Sequence, residues 1–361
     1  MNSIRDEFPV MDKGIYANTP VFGPLYKPLL KWRRQHDENT MQYGSAAGER
    51  NTALLSQTRQ GVADFFGAET GDVALVPNFS TAMNLLLEGL RPKTKVLLLR
   101  EDYPSLNWPF EHRDFEVHYL DLAPHLEARM EGEIGERNIE VLAVSMVQWL
   151  HGYRFRSGFF KELKDLYPAL TILVDGTQFC GTMAFNFKDS GIDVFGASAY
   201  KWLLAGHGNG FMLFSEAAKE RFLPKTIGFN SANGELDRKG HVPFAKRMEP
   251  GHLCPLSFGS LGFSLKFLSQ LGIHNIAGHH RELSKKGLAS FGSLGLLDHT
   301  FWEEENQSTI FNIKANDRVF HALAKNGVVC AKRGNGIRLG FHFFNGEAEI
   351  DAIGRILQRV L

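Results

Sequence analysis

The stretch "DGTQFCGTMAFNFKDSGIDVFGASAYKWLLAGHGNGF", Asp175 to Phe211, holds the reading of the fold. It opens where the apolar run "TILVD" ends in a carboxylate. It then passes through a second apolar run, "DVFGAS", and reaches Lys201 between Tyr200 and Trp202, just before a glycine-rich turn. Burying an unpaired ammonium costs several kcal/mol, so a lysine at a strand end lies either on a surface or in a role that needs its amine. Two neighbouring strand ends would present Asp175 and Lys201 to one crevice.

Working outward, short apolar runs recur: "VALVP" from Val73, "KVLLL" from Lys95, "EVHYLD" from Glu116, "VLAVSMV" from Val141 and "GFMLF" from Gly210. Continuous runs of this kind suit strands buried on both faces. Helical patterns lie between them, in "STAMNLLLEGL" with a serine able to cap and in "SGFFKELKDLYP" with Ser157 as a capping candidate. The alternation predicts an α/β fold with a mostly parallel sheet sandwiched by helices, whose ligands gather at the carboxyl ends of the strands.

After about Pro255 the rhythm changes. Two long helical stretches precede the strand candidates "TIFNI", "VVCA" and "IRLGFHF", and "EAEIDAIGRILQRVL" closes the chain as a helix. Between these strands, "NDRVFHALAKNG" reads as a helix capped by Asn316 and ended by Gly327. We expect a large unit over 16–254 and a smaller α+β unit built from 1–15 and 255–361.

Composition narrows the function. The 361 residues carry 40 acidic and 40 basic side chains, so no net field draws the chain to nucleic acid or to an anionic membrane. The opening residues have no apolar core of signal-peptide length, and no run approaches the ~20 apolar residues of a membrane helix. The expected place is the cytoplasm. Cys180, Cys254 and Cys330 are widely spaced and lack CxxC pairing, so neither a disulfide nor a structural metal is expected. His279 and His280 lack acidic or thiol company at ligand spacing, and a solvated helix face is expected for them. No GxxxxGK[ST] or early GxGxxG motif supports nucleotide binding.

An amine and a carboxylate at adjacent strand ends admit a plain ion pair. They also suit pyridoxal phosphate, whose aldehyde condenses with a lysine while its ring nitrogen stays protonated beside an aspartate. Lysine supplies the primary amine, and burial lowers its pKa so that it can attack and then act as a base. The cofactor's phosphate needs a helix N-terminus with hydroxyls, which Ser80 and Thr81 supply in "PNFSTAMNLLL"; Ser198 and Tyr200 add hydroxyls beside the lysine.

The series "NFSTAMN", "EDYPSLNW", "VQWLHGYR", "DGTQFCG", "SAYKWLLAGHGNGF", "RMEPGH" and "IRLGFHFFNGEAEID" resembles, in order and across nearly the whole chain, the class V aminotransferase family of fold type I pyridoxal phosphate enzymes. The resemblance implies a large cofactor domain, a small C-terminal domain and a homodimer with sites near the interface. It implies that Lys201 is the Schiff-base lysine, Asp175 the partner of the pyridine nitrogen and Gln178 a partner of the ring hydroxyl. Ser80, Thr81 and Ser198 become phosphate ligands, Tyr103 the ring stacked over the cofactor, and Gln148 a polar group near the ring oxygen. Arg338 matches the arginine that grips a substrate carboxylate, a task suited to a bidentate guanidinium.

The chain also departs from its subgroups. Tyr200 stands where many desulfurases have histidine, and Gln178 where kynureninases usually have histidine. Gly251-His252 replaces the usual Gly-Thr, so His252 is the candidate donor to the partner subunit's phosphate. Cys330 lies in an apolar strand candidate close before Arg338 and reads as a core cysteine, which argues against a persulfide-type desulfurase. The expected function is a pyridoxal phosphate-dependent enzyme acting on a small amino acid or amine, aminotransferase-like, with a lyase or epimerase as the alternative. A non-catalytic pyridoxal phosphate-binding protein is the rival of another class.

Overall fold

A computed structural model describes residues 2–297 and 303–361. Among the described residues twelve strands run in chain order as β1 (Ile15–Tyr16), β2 (Val73–Val76), β3 (Lys95–Leu99), β4 (Glu116–Leu120), β5 (Val141–Ser145), β6 (Thr171–Asp175), β7 (Val194–Ser198), β8 (Gly210–Phe214), β9 (Ile310–Ile313), β10 (Val328–Val329), β11 (Ala331–Arg333) and β12 (Gly336–Gly340). Seven of them form the main sheet in the order β2-β8-β7-β6-β5-β3-β4. Only β8 runs against its neighbours, pairing antiparallel with both β2 and β7.

Each central strand is buried along its whole length because both of its faces are covered, which is why the sequence shows unbroken apolar runs. Alternate residues serve different cores. Leu97, Leu142, Val144, Ile172, Val174 and Phe195 pack on one side of the sheet, and Val96, Leu98, Val141, Ala143, Leu173 and Val194 on the other. The helix Pro255–Leu271, which the sequence groups with the smaller unit, sets Phe258, Leu261, Leu265 and Leu268 into the first of these cores beside the helix Gly48–Phe66. A third core joins β9, β12 and the helices Ile273–Gly292, Asp317–Lys325 and Glu347–Val360.

Local signals behave unevenly. Asn316 caps its helix as expected, its side chain accepting from Val319 N–H. The helix Phe79–Leu87 is capped by Asn78, whose Oδ1 accepts from Thr81 N–H at 2.8 Å, and not by the serine. The cap of Phe159–Leu166 is Gly158, in the left-handed region, and not Ser157. "VVCA" divides at Cys330: Val328–Val329 pairs parallel with β1, whereas Ala331–Arg333 pairs antiparallel with β12. His280 is buried, which overturns the expectation of a solvated face. Cys330 is half-buried at the edge of the small core. Among the described residues no helix is long and apolar enough to cross a membrane.

Candidate active site

The carboxyl ends of β5, β6 and β7 meet in register, Ser145 beside Asp175 and Asp175 beside Gly196. Chain leaving these ends therefore converges on one place. Asp175 is 4% exposed; its Oδ1 accepts from Thr177 N–H at 2.8 Å. The Thr177 hydroxyl also bonds Asp175 and accepts from Ser198 N–H at 3.0 Å, tying the end of β6 to that of β7. Burial raises the Asp175 carboxyl, and the Thr177 bonds and the charge of Lys201 oppose that rise.

Lys201 follows β7 by a tight turn and is 4% exposed. The turn closes through Leu204 N–H to the Lys201 carbonyl at 3.1 Å, with Leu204 in the left-handed region at φ 58°. A buried non-glycine residue held there marks a backbone fixed by its surroundings. The amine stands 5.2 Å from the Tyr103 ring centre and 5.6 Å from that of Tyr200. It pairs with no carboxylate among the described residues, so the plain Asp175 to Lys201 ion pair is not what the fold builds. Burial, then the positive charge of Arg338, push the amine down to about 7, while Asp175 pulls the other way.

Arg338 lies on β12 and is 3% exposed. Its Nη1 donates to the Trp149 carbonyl at 2.8 Å, and its guanidinium lies over the Trp149 ring. Its Nε is buried without a hydrogen-bond partner. Burial and the neighbouring Arg333 push this guanidinium down to about 10. An arginine in apolar surroundings with no acid beside it is costly unless a ligand completes it.

The remaining sequence candidates divide. Tyr103 and Tyr200 both face Lys201, and burial raises the Tyr200 phenol to about 12. The Ser198 hydroxyl accepts from Phe79 N–H at 2.9 Å, fixing the start of the helix that carries half-buried Ser80 and exposed Thr81. Gln148 and Gln178 are both buried, with their amide groups bonded within the protein. Gln148 donates to the Glu101 carbonyl at 2.8 Å and accepts from Leu150 and His151 N–H. Gln178 donates to the Pro20 carbonyl at 3.0 Å and accepts from the Trp202 indole at 2.7 Å. His252 is exposed, with Phe229 as its ring neighbour.

Several site residues escaped the sequence reading. Asp102 is buried behind Asp175: its carboxylate accepts from Ser145 N–H at 2.7 Å, the Ser145 hydroxyl at 2.6 Å and Tyr103 N–H at 2.7 Å. An acid three residues beyond "KVLLL" is the signal that could have found it. Gly23 brings the N-terminal segment over the site, donating from its N–H to the Tyr200 carbonyl at 2.9 Å. Trp149 stands inside "VQWLHGYR" without having been given a role, and Arg333 carried no motif.

A family model described as aminotransferase class-V matches residues 17–353. A probable cysteine desulfurase from Methanothermobacter thermautotrophicus is 21% identical, covering 99% of this chain and 97% of that protein. An isopenicillin N epimerase from Streptomyces clavuligerus is 26% identical over 64% of this chain and 63% of its own length. The solved apo structure of a cysteine desulfurase from Thermococcus onnurineus superposes with a TM-score of 0.87 at 19% identity, covering 99% of this chain and 97% of that one.

The chain belongs to the class V aminotransferase family. It is accordingly a pyridoxal phosphate-dependent enzyme acting on an amino acid, with the fold type I architecture that the sequence led us to expect. The donor set fits the cofactor: a buried amine with no ion-pair partner among the described residues, a buried aspartate held by one threonine, an aromatic face beside the amine and a serine-bearing helix start.

Proposed function

We propose that the protein binds a small α-amino acid through Arg338 and moves its α-proton with Lys201, in aminotransferase-type chemistry. Pyridoxal phosphate, when bound, supplies the aldehyde that takes up the substrate's amine and the ring that accepts the electron pair left at Cα. Lys201 and Asp175 would hold its aldehyde and ring nitrogen, Tyr103 would cover its ring, and Ser80 with Ser198 and Tyr200 would meet its phosphate. Thr177, which bonds Asp175, would hold that carboxylate in place for the ring nitrogen. Lys201, with its amine near neutrality, is suited to take a proton and to return it. Arg338 fixes the substrate carboxylate, so the Cα–H bond is presented to the amine.

The observation that carries this reading is Arg338, buried with its Nε unpartnered and, among the described residues, no acid beside it. A protein that only stored the cofactor would have no use for that group. The reading includes a homodimer in which His252 reaches the partner's phosphate. It leaves out a persulfide relay, because Cys330 is half-buried between β10 and β11 and burial pushes its thiol up to about 11. The curated relatives named as desulfurases and epimerases make elimination and epimerisation the outcomes to test against.

Purified protein should absorb as a bound pyridoxal phosphate, and borohydride should fix that group on Lys201, as read by peptide mass. Incubation with single amino acids and an oxo-acid acceptor should give a new amino acid. Pyruvate and ammonia would show elimination instead, and loss of optical activity would show epimerisation. Protein that stays colourless after adding pyridoxal phosphate would overturn the reading.

A further inference from the structure

Arg333 and Arg338 share a surface. In the antiparallel pair of β11 and β12, Ala331 faces Arg338 and Arg333 faces Gly336. Residues directly opposite lie on one face, and so do residues two apart along a strand. Ala331, Arg333, Gly336 and Arg338 therefore belong to the same face, with the two arginines as diagonal neighbours roughly 7–8 Å apart at the backbone. Across β11 and β12 the residues opposite them are an alanine and a glycine, which leaves room between the two guanidinium chains, while on the β9 side Asn312 stands opposite Arg338. A side chain at Gly336 is opposed by the backbone, since a Cβ would fall 2.5 Å from the Ile313 carbonyl oxygen as well as 2.2 Å from Asn312 Oδ1.

This face looks toward the site. Arg338 donates to the Trp149 carbonyl, and the β11 to β12 turn lies against Leu150, next in the same loop. The positive charge of Arg333 reaches both Arg338 and Lys201. Lys332, on the opposite face, has an acid partner in Asp317 at 3.0 Å and the Phe320 ring beside it. Arg333 has neither: its Nη1 donates to the Lys332 carbonyl at 2.8 Å, and no acid pairs with it among the described residues. The protein thus balances the outward cation of this hairpin and leaves the two inward ones for a ligand.

We propose that Arg333 is a specificity-determining residue that receives a second anionic group, so that the preferred substrates are α-amino acids with a side-chain carboxylate. This rests on the reading above, in which Arg338 holds the α-carboxylate. Arg333 is half-buried at the hairpin's end, close enough to the site for its charge to be felt at the Lys201 amine. A guanidinium accepts a carboxylate in a bidentate fork, whereas the corresponding carboxamide offers it only one acceptor oxygen and no charge.

The test is a titration of the holoenzyme's absorption band with L-aspartate and L-glutamate, each set against its amide, L-asparagine or L-glutamine. At least one acid should bind about tenfold or more tightly than its amide, the size of a charge-assisted hydrogen bond. Arg333→Gln should remove most of that difference while leaving the amides within about twofold, and Arg333→Lys should restore part of it. Equal binding of acids and amides by the unaltered protein, with a band that does respond, would overturn the second arm alone. So would an Arg333→Gln protein that loses acids and amides equally. A band that responds to no amino acid would overturn the underlying reading as well.

Discussion

His342 donates from Nε2–H to the Trp202 carbonyl at 2.9 Å, so a buried ring holds the residue that follows Lys201. Because that carbonyl can only accept, His342 Nδ1 is left as an acceptor and receives the Nε2–H of His280 at 2.9 Å. Thr309 closes the chain at His280 Nδ1. Both rings are therefore held neutral, and burial pushes His342 down to about 3 and His280 well below its ordinary value, with His279 and Arg154 adding repulsion.

Acid should unfold the protein through this pair. A histidine with a depressed folded pKa takes up its proton more readily in the unfolded chain. The stabilisation is complete above the unfolded value of about 6.5 and falls by about 1.4 kcal/mol per pH unit per ring below it. At pH 5 His342 alone should cost about 2 kcal/mol relative to pH 7. Urea midpoints at the two pH values check this, and a His342→Asn protein should show a shallower pH slope.

How far the sequence spoke depends on whether a residue's partners are local. Asp175 and Lys201 were legible because each ends an apolar run, and strand ends of a parallel sheet share one edge. Asn316 was legible because a cap acts across three residues. His280 was misplaced because its partner His342 arrives from another element, and one sequence does not pair them. Arg333 escaped for a related reason: "VVCA" read as one strand, so the break at Cys330 and the register that sets Arg333 opposite Gly336 were hidden. The helices Lys27–Tyr43 and Gly48–Phe66 went unread because polar residues dominate much of each, with few buried positions to set a period.

The amine of Lys201 should become reactive near pH 7 in cofactor-free protein. Reductive methylation of Lys201, followed by peptide mass across a pH series, should rise through about 7, well below the range of an exposed lysine. Arg338→Gln removes a positive neighbour, so the proton is held more firmly and the midpoint should move up. Asp175→Asn removes a negative neighbour and should move it down.

Glu249 in "RMEPGH" is a structural anchor. Its carboxylate accepts from Arg59 at 2.6 and 2.8 Å, from Lys246 at 2.8 Å and from Leu75 N–H at 2.7 Å, joining the helix Gly48–Phe66 to β2. Those cations hold its pKa below the ordinary value. Glu249→Ala leaves Arg59 without its acid and should cost about 3–5 kcal/mol in urea unfolding. A depressed carboxyl stabilises above its unfolded pKa of about 4.3 and loses that contribution as pH falls further. The deficit of the variant should therefore narrow at low pH.

Gly23 touches the turn that carries Lys201 more closely than any side chain would permit. A Cβ there would lie 1.8 Å from the Lys201 carbonyl oxygen and 2.8 Å from Leu204 Cδ2. Gly23 N–H also donates to the Tyr200 carbonyl, and Phe22 stacks on His207, so the segment is fastened on both sides of the contact. Gly23→Ala must push this segment off the turn or displace Lys201 itself. Neither change disturbs the cores of the main sheet, so the far-ultraviolet spectrum should match that of the unaltered protein. Because displacement of about 1 Å at a reacting group costs on the order of 100-fold in rate, turnover should fall by that order. Borohydride should still fix pyridoxal phosphate on Lys201. Full turnover in Gly23→Ala would show that the segment yields without moving the lysine.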